Sequence, residues 1–455
     1  MNGEELLRGL HFKRIYFRNQ SFDQPSIQYA IDDLARYLKT SMHSSSPFIL
    51  LATYNHIKTF IAYFAILKAG KIPAILDPGV KSIELAEIIK DIDPAVLIFL
   101  NNEQLAFQYE EEIVFRKQDA GFLIHSDLAD VCTIAFTNAE DGYSKGAMLT
   151  EKNLLSEIQA LIQTNRLTNQ SVTFALLPYH HLYGLMQGIL VPSRVGGTSV
   201  IQDIDILRIN ELALTIEQFR VTHMYTVPSL YYLLSKVPGI DKLVHRVEEF
   251  YSGGTQLPLF IFDNFYSKTR RFIREGYGLT ESSPGVALNY DSDGPVPGSF
   301  GKAMPGCEIA VFDNDHQICK PGTIGEICVK GDMVFKGYFN NEGVTRNVLY
   351  NGWLHTGDYG LRDPKGNIYF CGLKKNMINV AGNNVYPRKL ERLIRLNPMV
   401  DDVDIFQEES VLQGHIVGAS IRLKRNTLEN QVNLKKWCQK NITNTGVPRL
   451  WQFQK

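Results

Sequence analysis

Two carboxylates stand in short segments crowded with Gly, Thr and Tyr. Glu281 closes Gly276-Tyr277-Gly278-Leu279-Thr280-Glu281, and Asp358 closes Gly352-Trp353-Leu354-His355-Thr356-Gly357-Asp358. An ionised carboxylate is acceptor-only, so one such group can take two vicinal hydroxyls and another can ligate a hard cation. Leu177-Pro178-Tyr179-His180-His181-Leu182-Tyr183-Gly184 adds two adjacent imidazoles, and Ser252-Gly253-Gly254-Thr255 a turn without side chains at its centre. Thr137 to Gly146 is a polar loop with an ammonium, Lys145, near its end. Each has a plain structural explanation when taken alone. Asp358 can be solvated in a hairpin, Glu281 can cap a helix, His181 can be a packed core histidine, and Gly-Gly is commonly just a turn. Their joint presence in one chain is what argues for a site.

Composition narrows the setting. The chain has 455 residues, 47 Lys+Arg against 48 Asp+Glu, and a formal net charge of −1. Such balance argues against a nucleic-acid binder that works by neutralising phosphates. The length suggests about three structural units with room for a sizeable core. No apolar run approaches the ~18 residues of a membrane span; Thr59 to Leu67, between Lys58 and Lys68, reads as a buried helix. Met1 to Arg18 is too charged for a secretory signal. The six cysteines, Cys132, Cys307, Cys319, Cys328, Cys371 and Cys438, contain no C-x-x-C pair, so spacing suggests neither a zinc site nor a disulfide framework. A soluble, cytoplasmic enzyme is expected.

The elements that must position these residues follow from hydrophobic periodicity. Strands are predicted at Phe48–Thr53, Pro73–Leu76 and Ala95–Leu100, with helices at Tyr54–Ala69 and Ser82–Lys90 between them. That alternation implies parallel pairing through helical crossovers. A second block repeats it, with strands at Phe174–Leu177, Thr198–Ile201 and His223–Val227 and a helix at Ile209–Phe219. Two layered α/β subdomains facing each other are expected. After about Asp291, Gly and Pro become frequent and strands alternate, as in Ile324 to Val329, which indicates a smaller antiparallel sheet. A polar linker at Gly372–Asn376 leads to a compact α+β tail. The fold class is therefore α/β: a large N-terminal domain, residues 1–372, of layered α/β subdomains plus a small β subdomain, then a small mobile α+β lid, residues 373–455.

The motifs, in this order, resemble those of the adenylate-forming superfamily, which includes acyl- and aryl-CoA synthetases, peptide-synthetase adenylation domains and luciferases. The likeness runs over roughly residues 50 to 450. It implies that Asp358 binds the ribose hydroxyls of ATP, that Tyr277, with Gly278, lies against adenine, that Thr280 contacts the α-phosphate and that Glu281 holds Mg²⁺. Gly253, Gly254 and Thr255 resemble the adenine-contacting turn, and His181 matches the position beside the carboxylate being adenylated. Thr137, Gly142, Lys145 and Gly146 keep the frame of the phosphate loop, followed by Leu149-Thr150 and Asn153. Gly325-Glu326 to Gly331 and Gly337-Tyr338-Phe339 resemble the strand-and-turn box before the ribose Asp. Lys375 matches the hinge, and Gly382, within Val380 to Pro387, the hairpin lining a thiol tunnel. The implied reaction uses ATP and Mg²⁺ to turn a carboxylic acid into an acyl-adenylate. The acyl group then passes to the thiol of CoA or of the phosphopantetheine on an acyl carrier protein.

Three departures accompany the likeness. The phosphate loop carries Ala139, Glu140 and Asp141 where the family has Gly and hydroxyl residues, and carboxylates facing a triphosphate repel it. Leu373 stands where an Arg usually meets the ribose, a role Leu cannot fill. Val447-Pro448-Arg449 resembles the lead-in to the closing Gly-Lys motif, but the sequence stops at Lys455. A second reading is therefore a poorly active relative that binds nucleotide or acyl-adenylate as a regulatory partner, or that performs only the thioester-forming step. The acid is left open. Tyr183, Tyr225, Tyr251 and Tyr277 suggest an apolar or aromatic one of modest size.

Overall fold

The computed structural model describes residues 3–18, 20–42, 44–101, 104–109, 126–138, 144–202, 208–291, 294–373, 378–381, 383–385, 387–410 and 413–454. Among these residues the strands form four sheets. One is nine-stranded, with a parallel centre in the order Glu249–Ser252, His223–Thr226, Val172–Ala175, Thr198–Ile201, Arg14–Phe17. The seven-stranded second sheet holds Phe48–Ala52 between Ile72–Leu76 and Val96–Asn101, all parallel. Every residue of Phe48–Ala52 is buried, as expected of a strand covered on both faces.

Helix Ile57–Lys68 explains how the two sheets share a core. Its sequence, IKTFIAYFAILK, is apolar nearly all round, and nine of its residues are buried. Such a helix belongs inside a protein rather than on its surface. The largest hydrophobic cluster joins it to Ile15 and Phe17 of the first sheet and to Ile49, Leu51 and Ile75 of the second. None of the described helices is long and apolar enough to cross a membrane.

The third sheet is antiparallel, with Cys307–Phe312, Gly325–Gly331, Trp353–Arg362 and Ile368–Leu373 as its main strands. The fourth pairs Val400–Ser410 with Gly414–Leu423, adds the short strands Ile378–Val380 and Asn383–Val385, and takes in Leu450–Phe453 in parallel. Its own core includes Leu390, Ile394, Val403, Val417, Ile421, Leu434 and Cys438. The architecture is the expected mixed α/β one, a large layered unit followed by a small α+β unit.

Some boundaries differ from the periodicity reading for physical reasons. The strand expected at Phe174–Leu177 lies at Val172–Ala175, because Asn55 claims the backbone that follows it. The Asn55 amide donates to the carbonyls of Leu176 and Leu177, both at 2.9 Å, and its carbonyl accepts the Tyr179 N–H at 2.9 Å. Leu176 to Tyr179 therefore leaves the ladder and runs toward His180 and His181. The strand Ile368–Leu373 runs into the stretch expected as a polar linker from Gly372, and its Leu373 is opposite Asp358. Gly337–Tyr338, read as part of the small β subdomain, joins the seven-stranded sheet beside Ser144–Thr150.

Asn55 is buried and satisfies three backbone groups at once. Replacing it by Ala is expected to destabilise the chain by about 1–3 kcal/mol, since buried polar groups would lose their partners. Urea unfolding of N55A against the unmodified chain measures this; an unchanged midpoint would contradict the clamp.

Candidate active site

The strand Ile273–Gly278 leads into the turn Thr280–Ser282, and this segment carries Tyr277, Thr280 and Glu281. Gly278 is required at its bend, because a Cβ there would sit 1.7 Å from the Pro284 carbonyl oxygen. Leu279 N–H donates to that same oxygen at 2.8 Å. The Tyr277 hydroxyl donates to Asp358 Oδ2 at 2.6 Å, and its ring stacks on Phe300 at 4.8 Å with 6° between planes. Burial and the adjacent Asp358 carboxylate push the phenol well above its ordinary pKa, so it remains a donor. One hydrogen bond thus joins the nine-stranded sheet to the small antiparallel one.

Asp358 is held from behind by its own strand and the neighbouring one. Glu326 Oε1 accepts the Gly357 N–H at 3.0 Å, and Oε2 lies 3.1 Å from His355 Nδ1. Thr356 Oγ1 donates to the Ile327 carbonyl at 2.7 Å and accepts the Asp358 N–H at 3.1 Å. Cys328, opposite His355 in the ladder, brings its sulfur within 3.3 Å of the same ring nitrogen. Glu326, Cys328 and His355 therefore form a compact group of metal-ligating side chains, on three positions that cysteine spacing did not single out.

Glu281 and Lys145 meet around Tyr338. The Tyr338 hydroxyl donates to Glu281 Oε1 at 2.6 Å, and Lys145 Nζ lies 5.9 Å from the centre of the Tyr338 ring. Lys145 faces Thr137 across the hairpin Val131–Asn138/Ser144–Thr150, and Gly146 faces Phe136. The hairpin is anchored by Asn153, whose amide donates to the carbonyls of Asp332 and Val334 at 2.8 and 2.7 Å. Thr150 and Asn153 also cap helix Glu151–Thr164 reciprocally. Gly142, Glu140 and Asp141 lie outside the described residues, as do Lys375, Gly382 and Lys455.

The turn after Glu249–Ser252 contributes Gly253, Gly254 and Thr255. Tyr183 lies over it: a Cβ on Gly253 would sit 3.0 Å from the Tyr183 ring. Gly254 takes φ +81°, and its carbonyl accepts a hydrogen bond from the Asn379 amide of the C-terminal unit at 3.2 Å. His181 opens to solvent, yet protein atoms crowd its ring enough to lower its pKa, against the opposing effects of Asp77 and a hydrogen bond with Asn383. Burial lowers His180 further, to about 4, helped by its neighbour His181 and opposed by Asp77. Both rings are thus neutral near pH 7. The 3.9 Å approach of His180 Nε2 to Asp77 is a polar contact, not an ion pair.

Of the four tyrosines expected around the acid, Tyr225 and Tyr251 are buried and stack on each other at 5.0 Å. Tyr225 also accepts a hydrogen bond from the Asn165 amide at 3.0 Å. Only Tyr183 and Tyr277 are less than fully buried.

Several contributors were missed by motif reading. The boxes containing Glu326 and Tyr338 were recognised, but their grip on Gly357 and Glu281 was not, since both act across strands. Phe300 sits in a Gly- and Pro-rich stretch with no periodicity to mark it. Glu157 is buried in helix Glu151–Thr164, accepts the Gly285 N–H at 3.0 Å and is pushed far up in pKa by burial. Glu275 accepts the Leu257 N–H at 2.6 Å and is raised to about 8 by burial, partly offset by that bond.

Fold and site together define a layered α/β protein. It holds a stacked tyrosine hydrogen-bonded to one carboxylate and a second carboxylate that meets a lysine around Tyr338, while the smaller unit reaches the Gly254 turn and a neutral histidine. Residues 26–339 match the family described as AMP-binding enzyme, and the chain belongs to that family. A long-chain-fatty-acid–CoA ligase of Escherichia coli is 30% identical over 348 residues, covering 71% of this chain and 58% of that protein. The chain thus matches somewhat over half the length of this relative. The structure of an o-succinylbenzoate CoA synthetase from Bacillus subtilis superposes with a TM-score of 0.86 at 21% identity, over 99% of this chain and 94% of that one. An amide bond synthetase from Marinactinospora thermotolerans gives 0.87 at 18%, over 100% and 96%.

The raised Glu275 pKa has a consequence for stability. The folded chain keeps a proton that the unfolded chain releases above about pH 4.5, so stability falls as pH rises from there to about 8 and then levels. Glu157 acts in the same sense, so only a comparison isolates Glu275. The thermal midpoint of E275Q is expected to decline less steeply than that of the unmodified chain between about pH 5 and 8. Parallel profiles would refute the assignment.

Proposed function

We propose that this protein activates a carboxylic acid with ATP and transfers the acyl group to a thiol. One observation carries the reading: the Tyr277–Asp358 hydrogen bond aligns an aromatic face and a ribose-type acceptor with Glu281, Tyr338 and Lys145. That succession has the order of base, ribose and phosphates. The relatives described as CoA ligases support the same reaction class, with CoA as the acceptor thiol and a carrier-protein phosphopantetheine as the alternative.

A carboxylate resists attack by a thiol because its leaving group is oxide. In the first step its oxygen attacks the α-phosphorus of ATP, the bond to pyrophosphate breaks, and an acyl-adenylate forms. In this reading Lys145 and the Thr280 hydroxyl offset charge on the phosphate oxygens. Glu281, with Thr280 beside it, is an all-oxygen donor set suited to Mg²⁺, which supplies charge neutralisation on the triphosphate. His181, neutral at pH 7, can donate a hydrogen bond to the acid without forming an ion pair that would blunt its nucleophilicity. In the second step a thiolate attacks the acyl carbon and AMP leaves with the bonding electrons. The contacts of Asn379 with the Gly254 carbonyl and of Asn383 with His181 support reading this placement of the C-terminal unit as the one for that step.

The acid has to fit beside Tyr183 and Gly253, because Tyr225 and Tyr251 are committed to packing. An apolar or aromatic acid of modest size remains the best match. ATP–pyrophosphate exchange with a panel of fatty, aryl and amino-acid carboxylates tests the first step. Exchange with at least one acid is expected, with a drop of about 100-fold or more in E281A and D358A. Absence of exchange with every acid, alongside measurable AMP binding, would overturn the full reaction. Thioester formation from a supplied acyl-adenylate would then leave only the second step.

A further inference from the structure

The C-terminal unit touches the large unit at a second place, away from the cleft residues already described. Lys389, on helix Pro387–Arg395, forms an ion pair with Glu84 Oε1, on helix Ser82–Ile92. The Ser144 hydroxyl donates to the same Glu84 oxygen at 2.6 Å and accepts from Lys389 Nζ at 3.1 Å. The side chains are nearly closed to solvent, Lys389 at 9% and Glu84 at 14% exposure. Ser144 opens the strand that presents Lys145 and Gly146. One carboxylate thus ties the C-terminal unit to the hairpin that carries the candidate phosphate lysine.

We infer that Glu84 and Lys389 are positioning residues that hold the C-terminal unit in its thioester-forming placement. The inference rests on the two-step reading above. An ion pair with both partners shielded from water is costly to break on one side only, because the survivor keeps its desolvation without its partner. When the C-terminal unit turns away as a whole, both charges regain water. The pair therefore weights this one placement against others, and it contributes nothing to a state in which the helix of Lys389 lies elsewhere. Asn379 on the Gly254 carbonyl and Asn383 on His181 belong to the same placement but are neutral hydrogen bonds. The charged contact is the stronger of the three. Its link through Ser144 means that a shift of the phosphate hairpin is felt directly at the lid.

The test uses K389M, E84Q and the exchanged pair E84K/K389E in the full chain. Thioester formation from a supplied acyl-adenylate and CoA is expected to fall about tenfold in kcat for each single variant. ATP–pyrophosphate exchange should stay within about twofold in K389M, since that variant keeps the Glu84–Ser144 hydrogen bond to the hairpin of Lys145. The exchanged pair should recover most of the thioester rate. Equal loss of both half-reactions, or no recovery in the exchanged pair, would overturn the inference. A second measurement does not depend on activity: amide hydrogen exchange over residues 378–390 and 82–92 should rise in K389M and return in the exchanged pair. If the unmodified chain shows neither half-reaction, the functional reading fails, and unchanged hydrogen exchange in K389M would separately sink the latch.

Discussion

The site depends on one short hydrogen bond, from the Tyr277 hydroxyl to Asp358 at 2.6 Å. Its two ends come from different sheets, a parallel one built through helical crossovers and a small antiparallel one. Neither end is free to move. Tyr277 is fixed by the bend at Gly278 and by stacking on Phe300, and Asp358 by Thr356 of its own strand and Glu326 of the next. A partly buried donor and a buried carboxylate that lost each other would both be left costly, so the bond helps to hold the two sheets in register.

The same economy appears in the supporting polar groups. Asn55, Asn153 and Glu326 each bond several groups on a different segment, and each segment then bears a candidate functional residue. Asn55 releases the chain toward His180 and His181, Asn153 brings the Tyr338 segment to the Lys145 strand, and Glu326 presents Asp358. Satisfied buried amides and carboxylates of this kind specify geometry more than they add net stability. Burial also tunes charge. His180 and His181 stay neutral, while Glu157 and Glu275 are pushed toward protonation and so serve as structural acceptors rather than charges.

Around this fixed part, the C-terminal unit has its own sheet and core and meets the cleft through a few polar contacts. Such a boundary suits a part able to change place relative to its neighbour. Among the described residues, Glu84 and Lys389 form a charged contact between the two units, beside the hairpin that carries Lys145.

Much of this was legible in the chain itself. Local pattern predicts a strand at Phe48–Thr53, found at Phe48–Ala52, because a doubly covered strand is apolar nearly throughout. Motif order predicts Tyr277, Glu281, Asp358, Lys145 and His181, whose chemistry follows from residue type. Their partners were not legible. Tyr338 on Glu281, Glu326 on Gly357, Phe300 on Tyr277 and Lys389 on Glu84 are separated by tens to hundreds of residues, and no period connects them. Even the strand end at Ala175 was decided by Asn55, more than a hundred residues earlier. Sequence determined which residues could do chemistry and which segments would be strand or helix, since both are local properties of side chains. Only the tertiary structure decided which of them meet, because that depends on how sheets pack and on which distant group satisfies each buried donor or acceptor.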